Sequence, residues 1–224
     1  MTQSDQFAKT RSEKFFRVAE LLAICATCFG VVSWMMEADN RRQERNARSW
    51  SIVTAQSSGN SGKIEALENL AGQDIPLDGI DLSCKRMSGD WHDGEKTCER
   101  QTYLEDIDLM GASLDSVNLS GSYLVNANLS GTKLNYARLE GASLYGANFA
   151  KAEISAASFE GAFIAGADFT GAVGIADADF KDVWAFEAAL PKGLSGIEVV
   201  VCPSIAWALD ESKPAENCDA VVMP

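Results

Sequence analysis

The stretch that decides the fold spans residues 104–171 and reads LEDIDLMGASLDSVNLSGSYLVNANLSGTKLNYARLEGASLYGANFAKAEISAASFEGAFIAGADFTG. A bulky apolar residue returns at every fifth position without exception. These positions are Leu104, Leu109, Leu114, Leu119, Leu124, Leu129, Leu134, Leu139, Leu144, Phe149, Ile154, Phe159, Ile164 and Phe169. Because a helix repeats apolar residues about every 3.6 positions and a strand about every 2, a period of five fits neither element and indicates a repeat architecture of its own.

The five-residue period predicts a chain that turns a corner in every repeat. A small or β-branched residue stands two positions before each bulky one, as at Ala127 and Ala167, so two residues point inward and three outward. Four such sides close a coil of twenty residues. A leucine-rich amphipathic helix is excluded because glycine, which costs a helix about 1 kcal/mol at each site, recurs through the stretch. These glycines are Gly111, Gly121, Gly131, Gly141, Gly146, Gly161, Gly166 and Gly171.

The repeat resembles the pentapeptide-repeat family, whose motif is roughly A(D/N)LxG. The motif is seen in Ala127-Asn128-Leu129-Ser130-Gly131 and in Ala167-Asp168-Phe169-Thr170-Gly171. The resemblance implies an all-β repeat fold, a right-handed quadrilateral β-helix (a solenoid) with the Leu, Phe and Ala side chains inside. Each coil buries its apolar sides only against its neighbours, so we expect short helical caps at the ends.

The chain as a whole predicts one repeat domain behind an N-terminal anchor. The predicted segments are a cytoplasmic tail at 1–17, a transmembrane helix at 18–36, a juxtamembrane helix, linker and N-terminal cap at 37–72, a β-helix at 73–182 with an inserted loop at 83–102, and a capping helix with a disulfide-tied C-terminal tail at 183–224. Just after Phe169 the register slips by one at Gly174, which predicts a bulge or widened corner. We expect Ile175 to resume the count, with Val173 in the inward position before it.

The anchor is predicted from the uncharged stretch LLAICATCFGVVSWMM, which runs from Leu21 to Met36. With the residues before it, the stretch has about the length that crosses a bilayer. A cleavable signal peptide is the rival interpretation, although no small-x-small cleavage site follows Met36, and a buried helix of a soluble protein is the third. Four cations lie on each side of the stretch, so the positive-inside rule does not orient it.

The cysteines outside the anchor form two local pairs, Cys84 with Cys98 and Cys202 with Cys218. An even set of local pairs predicts two disulfides and hence an oxidising compartment. We therefore expect a single-pass membrane protein whose repeat domain is extracytoplasmic, in the periplasm if the cell is bacterial. Other pairings, or four reduced thiols in a cytosolic domain, are the alternatives.

The sequence contains no set of residues that predicts catalysis, a metal site or a cofactor. His92 is the only histidine, and a zinc site built from Cys84, His92 and Cys98 lacks the usual ligand spacing and a fourth ligand. The net charge is -13, and the repeat carries no basic patch, so binding of nucleic acid through its phosphates is not expected.

Residues twenty apart stack on one side of the predicted coil, so outward positions can be sorted by face. One face gathers aromatic and apolar side chains into a candidate interface stripe: Tyr103, Tyr123, Val125, Tyr145 and Phe163. A contiguous exposed apolar patch usually marks an interaction site. The stripe is predicted to pack against a protein partner, a second copy, or the chain's own Cys84–Cys98 loop or C-terminal tail. The adjacent face is predicted to carry a polar ladder through Asp108, Asn128, Asn148 and Asp168.

Two functional interpretations follow. The first is a membrane-anchored, non-catalytic structural or protein-binding module that presents a rigid repeat prism. The second comes from the family resemblance: an acidic DNA-mimicking, topoisomerase-binding protein of the quinolone-resistance type. From Leu104 to Asp182 the chain has eleven acids against four cations, which fits the second interpretation. An extracytoplasmic repeat domain would exclude it.

Overall fold

The computed structural model describes residues 3–203 and 218–223, and side chains from Leu22 onward. Parts of both predicted tails therefore lie outside the described residues, namely 1–2 of the first and 204–217 with 224 of the second. The chain divides into two compact units, Met1–Ala47 and Arg48–Pro224.

Helix α1 spans Gln3–Thr54, and its residues up to Ala47 belong to the first unit. Its portion Leu22–Thr54 is long and apolar enough to cross a membrane, a property that a signal sequence near an N-terminus shares. The apolar side chains from Leu22 to Met36 are exposed along the helix. This portion is therefore a candidate membrane span.

The second unit begins with the last turns of α1 and with helix α2, Lys63–Ala71. Lys63 is fully buried, and its Nζ donates to the carbonyl oxygen of Ala55 at 3.1 Å and to Ser57 Oγ at 2.7 Å. The carbonyls at the end of a helix lack partners within the helix, so the Lys63 amine holds the chain just past the end of α1. Burial lowers the pKa of this amine. A helix is thus present within the segment where the sequence predicts the N-terminal cap.

The repeat is held by backbone hydrogen bonds between positions about twenty residues apart. Isolated parallel bridges join Tyr103 to Tyr123 and Asp108 to Asn128, and the same spacing recurs through the bridge between Glu153 and Val173. All fourteen bulky positions from Leu104 to Phe169 have at most 3% of their surface exposed. All of the small residues two positions before them are buried as well. The inward pattern and the twenty-residue spacing of the bridges agree with the expectation from sequence.

Four phenylalanines form the core of the later coils. The rings of Phe149 and Phe169 stack with centroids 4.8 Å apart, and those of Phe159 and Phe180 do the same. The two stacks meet edge to face, with Phe159 at 5.6 Å from both Phe149 and Phe169. Stacked and edge-on pairs at these distances are favourable beyond the area that they bury.

The predicted loop at 83–102 contains regular structure. Helix α3 spans Cys84–Met87, and strands β1, Trp91–His92, and β2, Thr97–Cys98, pair as an antiparallel hairpin. The insertion lengthens one coil, because the amide of Leu82 donates to the carbonyl of Asn118 at 2.8 Å, across 36 residues. We call residues 84–98 the strap.

The register slip lies where the sequence places it and has the form of a widened corner. Gly174 adopts φ +88°, and a 3₁₀ turn follows over Ile175–Asp177. The bridge spacing then grows from 20 residues to 21, at the bridges from Ser158 to Asp179 and from Phe163 to Trp184. The expectation that Val173 points inward is wrong: 60% of its surface is exposed, because the extra residue is taken up after it.

The capping helix predicted at the start of 183–224 is also wrong. Strand β3, Trp184–Phe186, occupies that place and pairs in parallel with β4, Glu198–Cys202, which pairs antiparallel with β5, Asp219–Val222. All three residues of β3 are buried. Strand β3 is an outer strand of this sheet, and its other side bridges the repeat, where Trp184 pairs with Phe163. Burial between the repeat and β4 overrides the local helical preference of the segment.

Candidate interaction surface

The candidate interface stripe is built by the outward column of the repeat. Parallel bridges join Tyr103 to Tyr123, Tyr123 to Ser143, Ser143 to Phe163 and Phe163 to Trp184. The rings of Tyr103 and Tyr123 lie 5.1 Å apart between centroids, and those of Tyr145 and Phe163 lie 6.1 Å apart. The structure therefore brings the four predicted aromatic residues of the stripe together in two contacting pairs.

Exposure along the stripe is uneven. Tyr103 keeps 46% of its surface exposed and Tyr145 keeps 38%, while Tyr123 and Phe163 are half-buried. Only 9% of the surface of Val125 is exposed, so the prediction that this residue lies on the outside is wrong. Val125 and Tyr145 occupy the same column twenty residues apart, and a side chain as short as valine does not extend past its larger neighbours. Two tyrosine rings thus make the accessible part of the stripe.

The C-terminal sheet covers one end of the stripe. The ring of Phe163 lies 4.3 Å from that of Trp184 and 5.0 Å from that of Phe186. Both of these β3 residues are buried. The sequence analysis missed them as a continuation of the stripe. Trp184 is 21 residues after Phe163, so a count that allowed for the slip at Gly174 would have found it.

The Glu105 carboxylate lies near the stripe and acts on the Tyr123 hydroxyl. Burial, together with the neighbouring Glu105 carboxylate and the Tyr103 hydroxyl, raises the pKa of Tyr123 above its ordinary value. The tyrosine is therefore neutral at physiological pH and offers an apolar ring with one polar end, as is common at interfaces.

The polar ladder on the adjacent face forms through its first three members. Asn128 Nδ2 donates to Asp108 Oδ1 at 2.8 Å, and Asn148 Nδ2 donates to Asn128 Oδ1 at 3.4 Å. Asp168 accepts the backbone amide of Thr170 at 2.8 Å. Hydrogen bonds from Thr170 lower the pKa of the Asp168 carboxyl. This face is held by its own hydrogen bonds.

Both cysteine pairs form disulfides in the structure, Cys84 with Cys98 and Cys202 with Cys218. Cys25 and Cys28 in α1 are free and exposed. His92 lies on β1, with its Nε2 3.7 Å from Glu99 Oε1. Within the described part of the chain, no three His, Cys, Asp or Glu side chains are grouped so that they could hold a metal ion.

The strap packs against a column of corner glycines that the sequence analysis did not single out. Gly121, Gly141 and Gly161 each adopt a positive φ of 61° to 68° and stand twenty residues apart. A methyl group on Gly121 would lie 2.9 Å from the Trp91 ring, and one on Gly141 would lie 1.8 Å from the Lys96 carbonyl oxygen. The sequence contains a feature that predicts this column, because three glycines spaced twenty residues apart mark one corner of the coil.

Comparison with known families gives a match to the model described as pentapeptide repeats. Eight copies are recognised, over residues 100–131 and 122–161. None of the curated proteins compared matches the chain.

Several solved structures are similar to part of the chain. A pentapeptide repeat protein from the cyanobacterium Cyanothece 51142 is 27% identical, with 49% of this chain and 83% of that one covered and a TM-score of 0.29. A pentapeptide repeat protein from the Arabidopsis thaliana thylakoid lumen is 21% identical, with 49% and 84% covered and a TM-score of 0.36. QnrB1, a plasmid-mediated fluoroquinolone resistance protein, is 16% identical, with 58% and 81% covered and a TM-score of 0.26.

Proposed function

We propose, from the match of residues 100–161 to the pentapeptide-repeat family, that this chain is a non-catalytic, membrane-anchored repeat module that binds a protein partner through its aromatic stripe. We infer that its repeat is a right-handed quadrilateral β-helix, the fold implied by the family. The observation that carries the binding proposal is the exposure of two aromatic rings, Tyr103 and Tyr145, on one face of the repeat.

The membrane anchor is supported by the character of α1. From Leu22 to Met36 its side chains are uncharged, mostly apolar and exposed, and a helix that is apolar on most sides is stable only where something apolar surrounds it. The two disulfides support a location of the repeat domain on the oxidising side of that membrane. Together these features favour a module held at a cell surface or in an envelope compartment.

The location is tested by labelling thiols in intact cells with a membrane-impermeant maleimide, with and without prior reduction. We expect Cys84, Cys98, Cys202 and Cys218 to be labelled only after reduction, with peptide mass spectrometry as the readout. Cys25 and Cys28 serve as internal controls, because thiols within a bilayer would remain unlabelled by this reagent in both samples. Free thiols reached only after lysis would contradict the proposed location and would favour the DNA-mimicking alternative in the cytoplasm.

The binding surface is tested by photocrosslinking. A benzoylphenylalanine placed at Tyr103 or at Tyr145 is expected to form a covalent product with a neighbouring protein in the intact membrane. Tyr136 is the matched control, since it is a tyrosine outside the stripe and is 68% exposed. Equal crosslinking from all three positions, or none from Tyr103 and Tyr145, would contradict an interface at the stripe.

Loss of binding is tested by replacing two stripe residues at once. The double variant Tyr123→Ser, Tyr145→Ser is expected to abolish the crosslink formed from position 103, because it removes one ring from each contacting pair. Tyr136→Ser is the control and should leave the crosslink unchanged. A double variant that associates as the unaltered protein does would show that the stripe is ordinary surface.

A further inference from the structure

The strap touches three successive coils. Cys84, Trp91 and Cys98 lie against Gly121, the backbone of Lys96 lies against Gly141, and the Lys96 side chain reaches Gly161, where a methyl group would be 3.4 Å from its Cβ. Because Gly121, Gly141 and Gly161 are twenty residues apart, one short segment contacts the same corner of three successive coils.

Polar contacts fix both ends of this crossing. At the first coil, the amide of Cys84 donates to the carbonyl oxygen of Ser120 at 2.9 Å. At the third, Lys96 Nζ lies 3.6 Å from Glu160 Oε2, and Lys181 Nζ donates to Glu160 Oε1 at 2.8 Å. The hydrogen bond from Lys181, with a contribution from the Lys96 charge, lowers the pKa of Glu160, so this carboxylate is ionised at neutral pH.

Coils in a repeat stack contact only their neighbours, and their stabilities are coupled one step at a time. The coils that contain Gly121 and Gly161 have a third coil between them. We propose that the disulfide-closed strap is a clamp that couples these three coils into one cooperative unit. The glycine corners serve this clamp, because only a residue without a Cβ lets the Lys96 carbonyl lie against Gly141.

Hydrogen exchange of the full-length protein in detergent micelles, read by mass spectrometry of overlapping peptides, tests the clamp. The corner amides are suitable probes, since those of Gly121, Gly141 and Gly161 donate to the next coil at 2.8 to 2.9 Å. The variant is Gly141→Ala, whose methyl group would force the strap away. The matched control is Gly131→Ala, because Gly131 has φ +63° against +61° for Gly141 and nothing lies within 4 Å of its added methyl group.

The clamp predicts that the two variants differ in how strongly they change hydrogen exchange at the neighbouring corners. Gly141→Ala is expected to speed exchange at Gly121 and Gly161 by about tenfold or more, because all three corners lose the strap together. Gly131→Ala introduces the same backbone strain without displacing the strap. Hydrogen exchange at the equivalent corners, Gly111 and Lys151, should therefore change much less. Equal fold-changes at the neighbouring corners of both variants would overturn the clamp.

A second variant keeps the test decisive if Gly141→Ala does not fold. Lys96 adopts φ +54°, so Lys96→Gly fits the backbone while removing the side chain that reaches the third coil. We expect faster exchange at Gly161 with little change at Gly121, where the disulfide still holds the strap. Unchanged exchange at Gly161 would show that the strap does not stabilise the third coil.

Discussion

Replacing Phe159 with alanine is expected to lower the free energy of unfolding of the repeat domain by about 3 to 5 kcal/mol. Phe159 is fully buried. Its ring stacks on that of Phe180 and meets the rings of Phe149 and Phe169 edge to face. The substitution removes an entire ring from between two coils. The bridges that hold these coils fix their spacing, so the cavity that forms has little means to collapse.

Urea unfolding of the full-length protein in micelles, followed by tryptophan fluorescence, measures the change. Phe159→Leu is the conservative comparison and is expected to cost less than about 1.5 kcal/mol, because leucine occupies the same inward position at Leu139, one coil earlier. Met110→Ala is the surface control: 67% of Met110 is exposed, and the change should stay within about 0.5 kcal/mol. A loss below about 1 kcal/mol for Phe159→Ala would mean that the four rings do not form a continuous packed core.

Gly193→Ala is expected to destabilise the C-terminal end of the repeat by about 2 to 5 kcal/mol, combining left-handed backbone strain with overpacking. Gly193 has φ +79°, and a methyl group there would lie 2.6 Å from the Phe169 carbonyl carbon and 2.7 Å from the Thr170 nitrogen. These are backbone atoms and cannot rotate away. The preceding residue, Lys192, forms the bridge to Asp168, so the clash falls on the last bridge from the repeat into the C-terminal segment.

The variant Gly196→Ala separates the cost of left-handed backbone strain from the cost of overpacking. Gly196 has φ +82°, and no atom lies within 4 Å of its added methyl group. The alanine variant therefore has the backbone strain but no steric clash. We expect it to cost about 1 to 2 kcal/mol, measured by the same urea unfolding experiment. If the two alanine variants proved equally stable, the close approach of Gly193 to the Phe169 backbone would be absent in solution.

The core could be predicted from the sequence because its signal is redundant. The bulky and small inward positions repeat many times with one period, so a single unusual residue such as Ser122 or Thr132 does not obscure them. Those two side chains are fully buried, in the inward position that the period assigns to them. The same counting brought Tyr103 together with Tyr123, and Tyr145 with Phe163.

What the sequence did not reveal lies where the period stops or where a distant segment makes the contact. Local composition favoured a helix at Asp182–Leu190, but burial of Trp184 and Phe186 within a sheet determines the outcome. The burial of Lys63 depends on the end of another helix. The crossing of the glycine corners by the strap depends on a disulfide partner fourteen residues away in the chain.

The closure of both ends of the repeat has a consequence for how the protein behaves at high concentration. Helix α2 contacts the first coils, where Glu68 accepts the amide of Asp108 at 3.0 Å, and strand β3 bridges the last of them through Phe163 and Trp184. An open coil would present a row of unpaired amides and carbonyls at the strand spacing of an amyloid fibril tip, and such an edge recruits further chains. We therefore expect the covers at the two ends to limit end-to-end association of the repeat.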